Sequence, residues 1–542
     1  MQSSEILVEN LGPTSSVAWL QRFSSFEKLP FAFAFGCILG LSSPGFDQWW
    51  LAWIAVAPLL ILVRGCSGRM DAFLTGLSFG LGFYLVSLSW CLGLFPLRWL
   101  GLDDWLGIQA SGLVWAIESL HESLLLAAFA LMIFCLPLRA GYFPHFKRPF
   151  FPYLLSVPLL WVFFQWAVGT SEFFVGMPVN QLAYSQSRQT ELIQIAKLGG
   201  SGLVDFLLIL SNCALAEIFL ELSGIARRLQ ERSDQISPKA GCWVDAVLVF
   251  GLVLIATNWG SGQIEQTALS TRPGSEANIY RQTPVIPLAV LQGNVSIEED
   301  RLKTAKPSEV ADRYSRLSTN LGVPIMALPE GLLNSNQMVP GYLAGRLKGT
   351  VIREKKEIVV GSIENMGNGL VNGARIISPV PPKDNLYVKQ RLVPFGEFAP
   401  LGPLGERINE RLPLSREVFL KSKSARPLHS IWGGIGVSIC VELIYPHLIS
   451  NEVRHGANIL VNVSNLGWFH QASLNRQMLA AAVLRAVENG RFMVLATNTG
   501  ISAVIDPAGV ITSVSYPGKR GVLIDTVQFL YGETPFTKMW WL

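Results

Sequence analysis

Charge is scarce in this chain. Asp, Glu, Lys and Arg make up 15% of its 542 residues, against about 25% in ordinary soluble proteins. Half the residues are hydrophobic and 11% are aromatic. That composition excludes a simple soluble protein and points to a large membrane part. The net charge of +4 is too small to suggest nucleic acid. A cleavable signal peptide is also lacking: the first 28 residues have neither a basic start nor an apolar core, so the first apolar span is expected to anchor the chain. Cysteine is rarest in the second half. Cys37, Cys66, Cys91, Cys135, Cys213 and Cys242 all precede residue 259, and Cys440 stands alone after it.

The apolar residues are unevenly distributed. Residues 1–258 are apolar blocks with short polar loops and form the expected membrane domain. Residues 259–284 read as a linker, 285–530 as a water-soluble domain, and 531–542 as a short tail. Seven spans are expected, near 29–44, 49–64, 72–95, 110–136, 150–168, 201–222 and 242–258, the first two short for a helix that needs about 20 apolar residues. One set of loops carries Arg22, Lys28, Arg64, Arg69, Arg139, Lys147, Arg148, Arg227, Arg228, Arg232 and Lys239; the alternate set carries only Arg98, Arg188 and Lys197. The first set is therefore cytoplasmic, and the soluble domain faces outward. The chain stops six residues after Thr534-Pro535-Phe536, too few for a further span, so the C-terminus is expected outside, with Trp540 and Trp541 at the headgroups.

Within the membrane domain, Glu118, His121 and Glu122 share a helix face by their spacing. A zinc site would want more ligands, so the reading is an interfacial helix end and no metal. Gln165, Trp166 and the loop Gly176-Met177-Pro178 fall on the outer side, as a lipid entrance or a headgroup anchor.

The soluble domain alternates strand and helix patterns and is α/β. Strands are expected at 286–291, 324–328, 357–362, 374–377, 434–439, 457–463, 492–497 and 502–505, with helices at 304–320, 341–354 and 473–489. Three strands end in reactive groups: Glu330, Lys389 and Cys440. Cys440 lies between the strand 434–439 and a helix beginning near Pro446, where the positive end of the helix dipole is expected to favour thiolate. An outward-facing thiol with no pairing partner in its own domain suggests a working nucleophile. A carboxylate can serve it as general base, and an ammonium can stabilise an oxyanion.

These pieces resemble a known family. The domain looks like the nitrilase superfamily, which implies a Glu-Lys-Cys triad on an αββα sandwich. The closer resemblance is to apolipoprotein N-acyltransferase, carried by Leu291-Gln292-Gly293-Asn294, Leu328-Pro329-Glu330, Lys389-Gln390-Arg391-Leu392-Val393-Pro394-Phe395-Gly396-Glu397-Phe398, Ile439-Cys440-Val441-Glu442, Ser464-Asn465-Leu466-Gly467-Trp468-Phe469 and Ala496-Thr497-Asn498-Thr499-Gly500. It implies that Cys440 takes an acyl chain from a phospholipid as a thioester and passes it to the N-terminal diacylglyceryl-cysteine of a lipoprotein. Glu330 would be the base and Lys389 the oxyanion stabiliser, with Glu397, Glu442 and Asn372 in support. No cofactor is implied. The expected setting is a monomer in the bacterial inner membrane, with the catalytic domain on the periplasmic side. The sequence departs from the family pattern at Arg301, Val441, Leu466-Gly467 and Gln165–Gly169. Rival readings are a membrane-tethered amidase with the same three residues, a Cys-His hydrolase drawing on His429, His447, His455 or His470, and a non-enzymatic lipoprotein-binding membrane protein.

Overall fold

The computed structural model describes residues 25–136, 138–139, 151–170, 181–223, 241–271, 283–297, 299, 306–334, 340–380, 386–394, 396–398, 407, 419–423, 426–470 and 472–539. Arg22, Lys147, Arg148, Arg227, Arg228, Arg232, Lys239, the 176–178 loop, Arg301, Phe395, Trp540 and Trp541 lie outside the described residues.

The first half is helical: α1 Ser25–Gly40, α2 Ala57–Arg64, α3 Arg69–Ser87, α4 Asp104–Cys135, α5 Tyr153–Thr170, α6 Ala196–Leu222 and α7 Gly241–Thr271. Each expected span overlaps one of them, although 49–64 opens on a 3-10 turn and 72–95 runs past Ser87 into another. Five, α3 to α7, are long and apolar enough to cross a membrane. The helix α1 has 16 residues, and α2 follows a short turn at Trp49–Trp53. One side chain adds to the backbone bonds between that turn and α2. Asn212 Oδ1 accepts from Val56 N and Ala57 N, and its Nδ2 donates to Ala52 O, each at 2.9 Å. Small residues set the helix spacing: a Cβ on Gly36 would lie 2.0 Å from Phe79 O, and one on Gly82 2.1 Å from Phe33 O, so α1 and α3 meet at backbone distance.

The helix α7 runs on to Thr271, through the first half of the expected linker. Its polar end still packs: a Cβ on Gly260 would meet Glu191 O at 1.7 Å, and Lys197 Nζ donates to Thr267 Oγ1. The Glu118-His121-Glu122 group sits in the middle of α4 rather than at an interfacial end, with its ligand atoms within 4.8 Å of one another.

The second half is a two-sheet sandwich. Its strands are β1 Val285–Gln292, β2 Ile325–Ala327, β3 Leu333–Asn334, β4 Glu357–Asn365, β5 Leu370–Ile377, β6 Leu386–Val388, β7 Leu428–Ser430, β8 Gly433–Ile439, β9 Ala457–Ser464, β10 Met493–Thr497, β11 Ala503–Ile505, β12 Ile511–Val514 and β13 Gly521–Gln528. One sheet runs β13-β1-β2-β4-β5-β6, with β3 on β4; the other runs β12-β11-β10-β9-β8-β7. In β1, alternate residues face opposite ways, as the strand period requires. Leu288 and Val290 join the core shared with Val437, Val461 and Val463 of the second sheet. Ala289 and Leu291 meet Tyr314 and Leu347, from the covering helices α8 Pro307–Ser318 and α9 Pro340–Glu354.

The second sheet is covered by α10 Pro446–Arg454 and α11 Ala472–Asn489. The four layers are the expected αββα sandwich. The helix α11 also packs on α6, so the two halves share one core. Its Arg485 and Glu488 form a fully buried pair at 2.7 Å, and Glu488 accepts from Ser201 N at 2.7 Å, where Gly199 and Gly200 break α6. A last helix, α12 Pro535–Met539, seats Phe536 against Gly200.

Candidate active site

The three strand-end residues come together at the rim of the sandwich. Glu330 follows β2, held where β4 passes without a side chain. A Cβ on Gly361 would lie 2.4 Å from Glu330 Cα, and Gly361 N donates to Pro329 O at 3.1 Å. Lys389 follows β6 and is 1% exposed. Its Nζ lies 3.3 Å from Glu330 Oε1 and 2.9 Å from Glu397 Oε1. Asn372, on β5, donates through one Nδ2 to the same two oxygens, at 2.8 and 2.7 Å. The other oxygen of Glu330 accepts from Asn465 N at 2.9 Å, and that of Glu397 from Val393 N at 2.8 Å. Burial of Lys389 would strip its charge, but Glu397 and Glu330 outweigh that and hold its pKa above the usual lysine value.

Cys440 ends β8 in the left-handed region, at φ 53°, which is costly for a residue with a side chain. The turn it opens, Cys440–Ile444, is 3-10, and α10 begins only at Pro446. The helix begins where the sequence places it, but its end does not set the state of Cys440. Burial, and then the Glu330 charge, push the Cys440 thiol up to about 12, against smaller opposing effects of Lys389 and Ser464. At neutral pH this thiol therefore holds its proton.

Glu442 is fully buried beneath this turn. It accepts from Ile439 N at 2.8 Å, Arg391 N at 3.1 Å, Gln390 N at 2.5 Å and Tyr387 OH at 2.9 Å. It thus ties the turn of Cys440 to the segment after Lys389. Burial raises its pKa to about 7, against the backbone N–H groups that favour the charge. Arg391 reaches back to the membrane half, donating to Thr170 O at 3.1 Å and lying over the Tyr445 ring. His470 and His455 bond the carbonyls of Gly93 and Asn451, which gives a Cys-His arrangement no support.

Asn465, Tyr387 and Gly361 carry no chemical signal of their own in the sequence. Asn465 enters through a backbone N–H, Tyr387 only through the strand order that sets it beside Glu442, and Gly361 through what it lacks. A partly buried carboxylate beside a neutral thiol, with a buried ammonium between two acids, is suited to proton transfer and to holding a negative oxygen.

Comparison with known proteins agrees with this architecture. Residues 289–535 match the carbon-nitrogen hydrolase domain, so the second half is an α/β domain of the nitrilase superfamily. Residues 35–214 match the apolipoprotein N-acyltransferase N-terminal domain. The apolipoprotein N-acyltransferase of Geobacter metallireducens is 30% identical over 535 residues, covering 95% of this chain and 93% of that protein. Those of Chromobacterium violaceum and Pseudomonas aeruginosa are 29% and 28% identical, covering 81% and 93% of this chain and 81% and 91% of theirs. The chain belongs to the apolipoprotein N-acyltransferase family.

Proposed function

We propose that the protein transfers an acyl chain from a membrane phospholipid to the α-amino group of the N-terminal diacylglyceryl-cysteine of lipoproteins, through a thioester on Cys440. The pair of buried Lys389 with Glu330 beside Cys440, in a chain similar over nearly its whole length to N-acyltransferases, carries this reading. Glu330 takes the thiol proton as the sulfur attacks the ester carbonyl, and Lys389 neutralises the tetrahedral oxyanion. Collapse releases the lysophospholipid, whose oxygen takes the proton back from Glu330. The acceptor amine then attacks the thioester by the same route, and Cys440 leaves with a proton. Glu397 and Asn372 keep Glu330 and Lys389 in register, and Glu442 holds the turn of Cys440. No cofactor or metal is needed for either step.

Both substrates are lipids or lipid-anchored, which fits the five apolar helices beside the catalytic domain. The Lys and Arg bias of the loops supports a catalytic domain on the outer, periplasmic side of the inner membrane, acting as a monomer. The test is product analysis of the purified chain with phospholipid and a synthetic diacylated lipopeptide. N-acylated peptide is expected; release of free fatty acid alone would instead mean a hydrolase with water as acceptor.

A further inference from the structure

Strands β8 and β9 are parallel, with Ser438 opposite Asn462 and Ile439 opposite Val463. Side chains alternate along a strand, so Asn462 and Ser464 of β9 share one face, while Cys440 follows the last residue of β8. The lower pair is in contact: Asn462 Nδ2 donates to Ser438 Oγ at 2.9 Å. The same amide reaches the Cys440 carbonyl at 3.2 Å and holds that residue over the row as it leaves the strand. The ladder ends at Ile439 and Val463, and the residues that follow on the two chains are Cys440 and Ser464.

Ser464 is 1% exposed, and its Oγ bonds no nitrogen or oxygen among the described residues, while it faces the Cys440 sulfur closely enough to oppose the rise of that thiol's pKa. A buried hydroxyl left without an acceptor is costly. Its backbone is fixed on both sides: Ser464 O accepts from Asn498 N at 3.1 Å, and the next residue gives its N–H to Glu330 at 2.9 Å. One strand end therefore positions both the base and this hydroxyl.

We propose that the Ser464 hydroxyl donates a hydrogen bond to the Cys440 sulfur and stabilises the thiolate formed as Glu330 removes its proton, an inference that rests on Cys440 being the nucleophile. A neutral thiol is a weak acceptor and a thiolate a strong one, so the bond tightens as charge develops and favours the transition state over the ground state. Ser464 keeps its own proton throughout; the thiol proton goes to Glu330. The charged groups facing the sulfur are Glu330 after β2, Lys389 after β6 and Glu397 in the segment that follows.

The test uses the full chain in detergent and reads iodoacetamide alkylation of the Cys440 peptide by mass spectrometry, from neutral to alkaline pH. Ser464→Ala is expected to slow alkylation at neutral pH about tenfold and to move the profile up by about one pH unit. Ser464→Thr, which keeps the hydroxyl, should restore it. Should the alanine variant fail to fold, Ser464→Thr and Ser464→Val form a second pair of similar size that differs in the hydroxyl, and only the valine variant should shift. A Ser464→Ala profile that overlays the wild type, or threonine and valine variants that behave alike, would overturn the inference. The readout needs no lipid. A shifted profile supports the inference even where phospholipid leaves Cys440 unmodified, an outcome that would count only against the proposed function.

Discussion

Gly361 offers a sharp test of how tightly Glu330 is placed. A methyl group there would lie 2.4 Å from Glu330 Cα and 2.7 Å from Gly331 N and Pro329 O. The first contact is about an ångström short of ordinary van der Waals distance, and the obstruction is backbone, which cannot swing aside as a side chain would. Gly361→Ala must therefore push Glu330 and β4 apart. A shift of that size breaks the bonds from Asn372 and Asn465 to the Glu330 carboxylate, now 2.8 and 2.9 Å. Misplacement by an ångström costs about 10²-fold in rate, and the overpacking itself about 1–3 kcal/mol. Acyl-enzyme formation followed by mass spectrometry should fall by about that factor, while thermal unfolding in detergent shows only a modest loss. Gly345 in α9 is the control: a Cβ there meets nothing within 4 Å, so Gly345→Ala should keep full activity and gain about 0.5–1 kcal/mol. Equal activity of the two variants would refute the argument that Gly361 sets the position of Glu330.

Glu330→Gln should slow thioester formation by about 10²–10⁴, measured by the same mass readout, and His470→Ala should not; the reverse order would reject Glu330 as base. Asn212→Leu strips partners from Val56 N, Ala57 N and Ala52 O inside the helical half and should cost about 2–4 kcal/mol, read as a lower unfolding midpoint; an unchanged midpoint would dismiss its bridging role. The Cys440 thiol, at about 12 in the fold and about 8.5 when unfolded, keeps its proton longer in the native state. Stability from this group is thus full below about pH 8.5 and is lost as pH rises toward 12. The wild-type midpoint should fall more steeply over that window than that of Cys440→Ala; parallel curves would contradict the buried neutral thiol.

What was legible in the sequence follows from chain-local physics. Buried strands that end in Glu330, Lys389 and Cys440 announce themselves as apolar runs stopping at a charge or a thiol, and β-α alternation gives the sandwich. Relations that depend on strand order were not legible. Tyr387 reaches Glu442 across two sheets, and Asn465 offers a backbone N–H that any residue carries. The state of Cys440 departs from the expectation because burial and the Glu330 charge outweigh the end of a helix that does begin at Pro446. The polar residues 259–271 looked like linker by composition. They stay helical because Gly260 lets the helix pack against Glu191 and because Lys197 bonds Thr267.

The central claim is that Cys440 carries the acyl chain. Purified protein exposed to phospholipid should gain the mass of one fatty acyl group, located on the Cys440 peptide and removed by neutral hydroxylamine, and Cys440→Ala should gain none. An unmodified Cys440 under conditions that acylate another member of the family, or an adduct that persists in Cys440→Ala, would contradict the account.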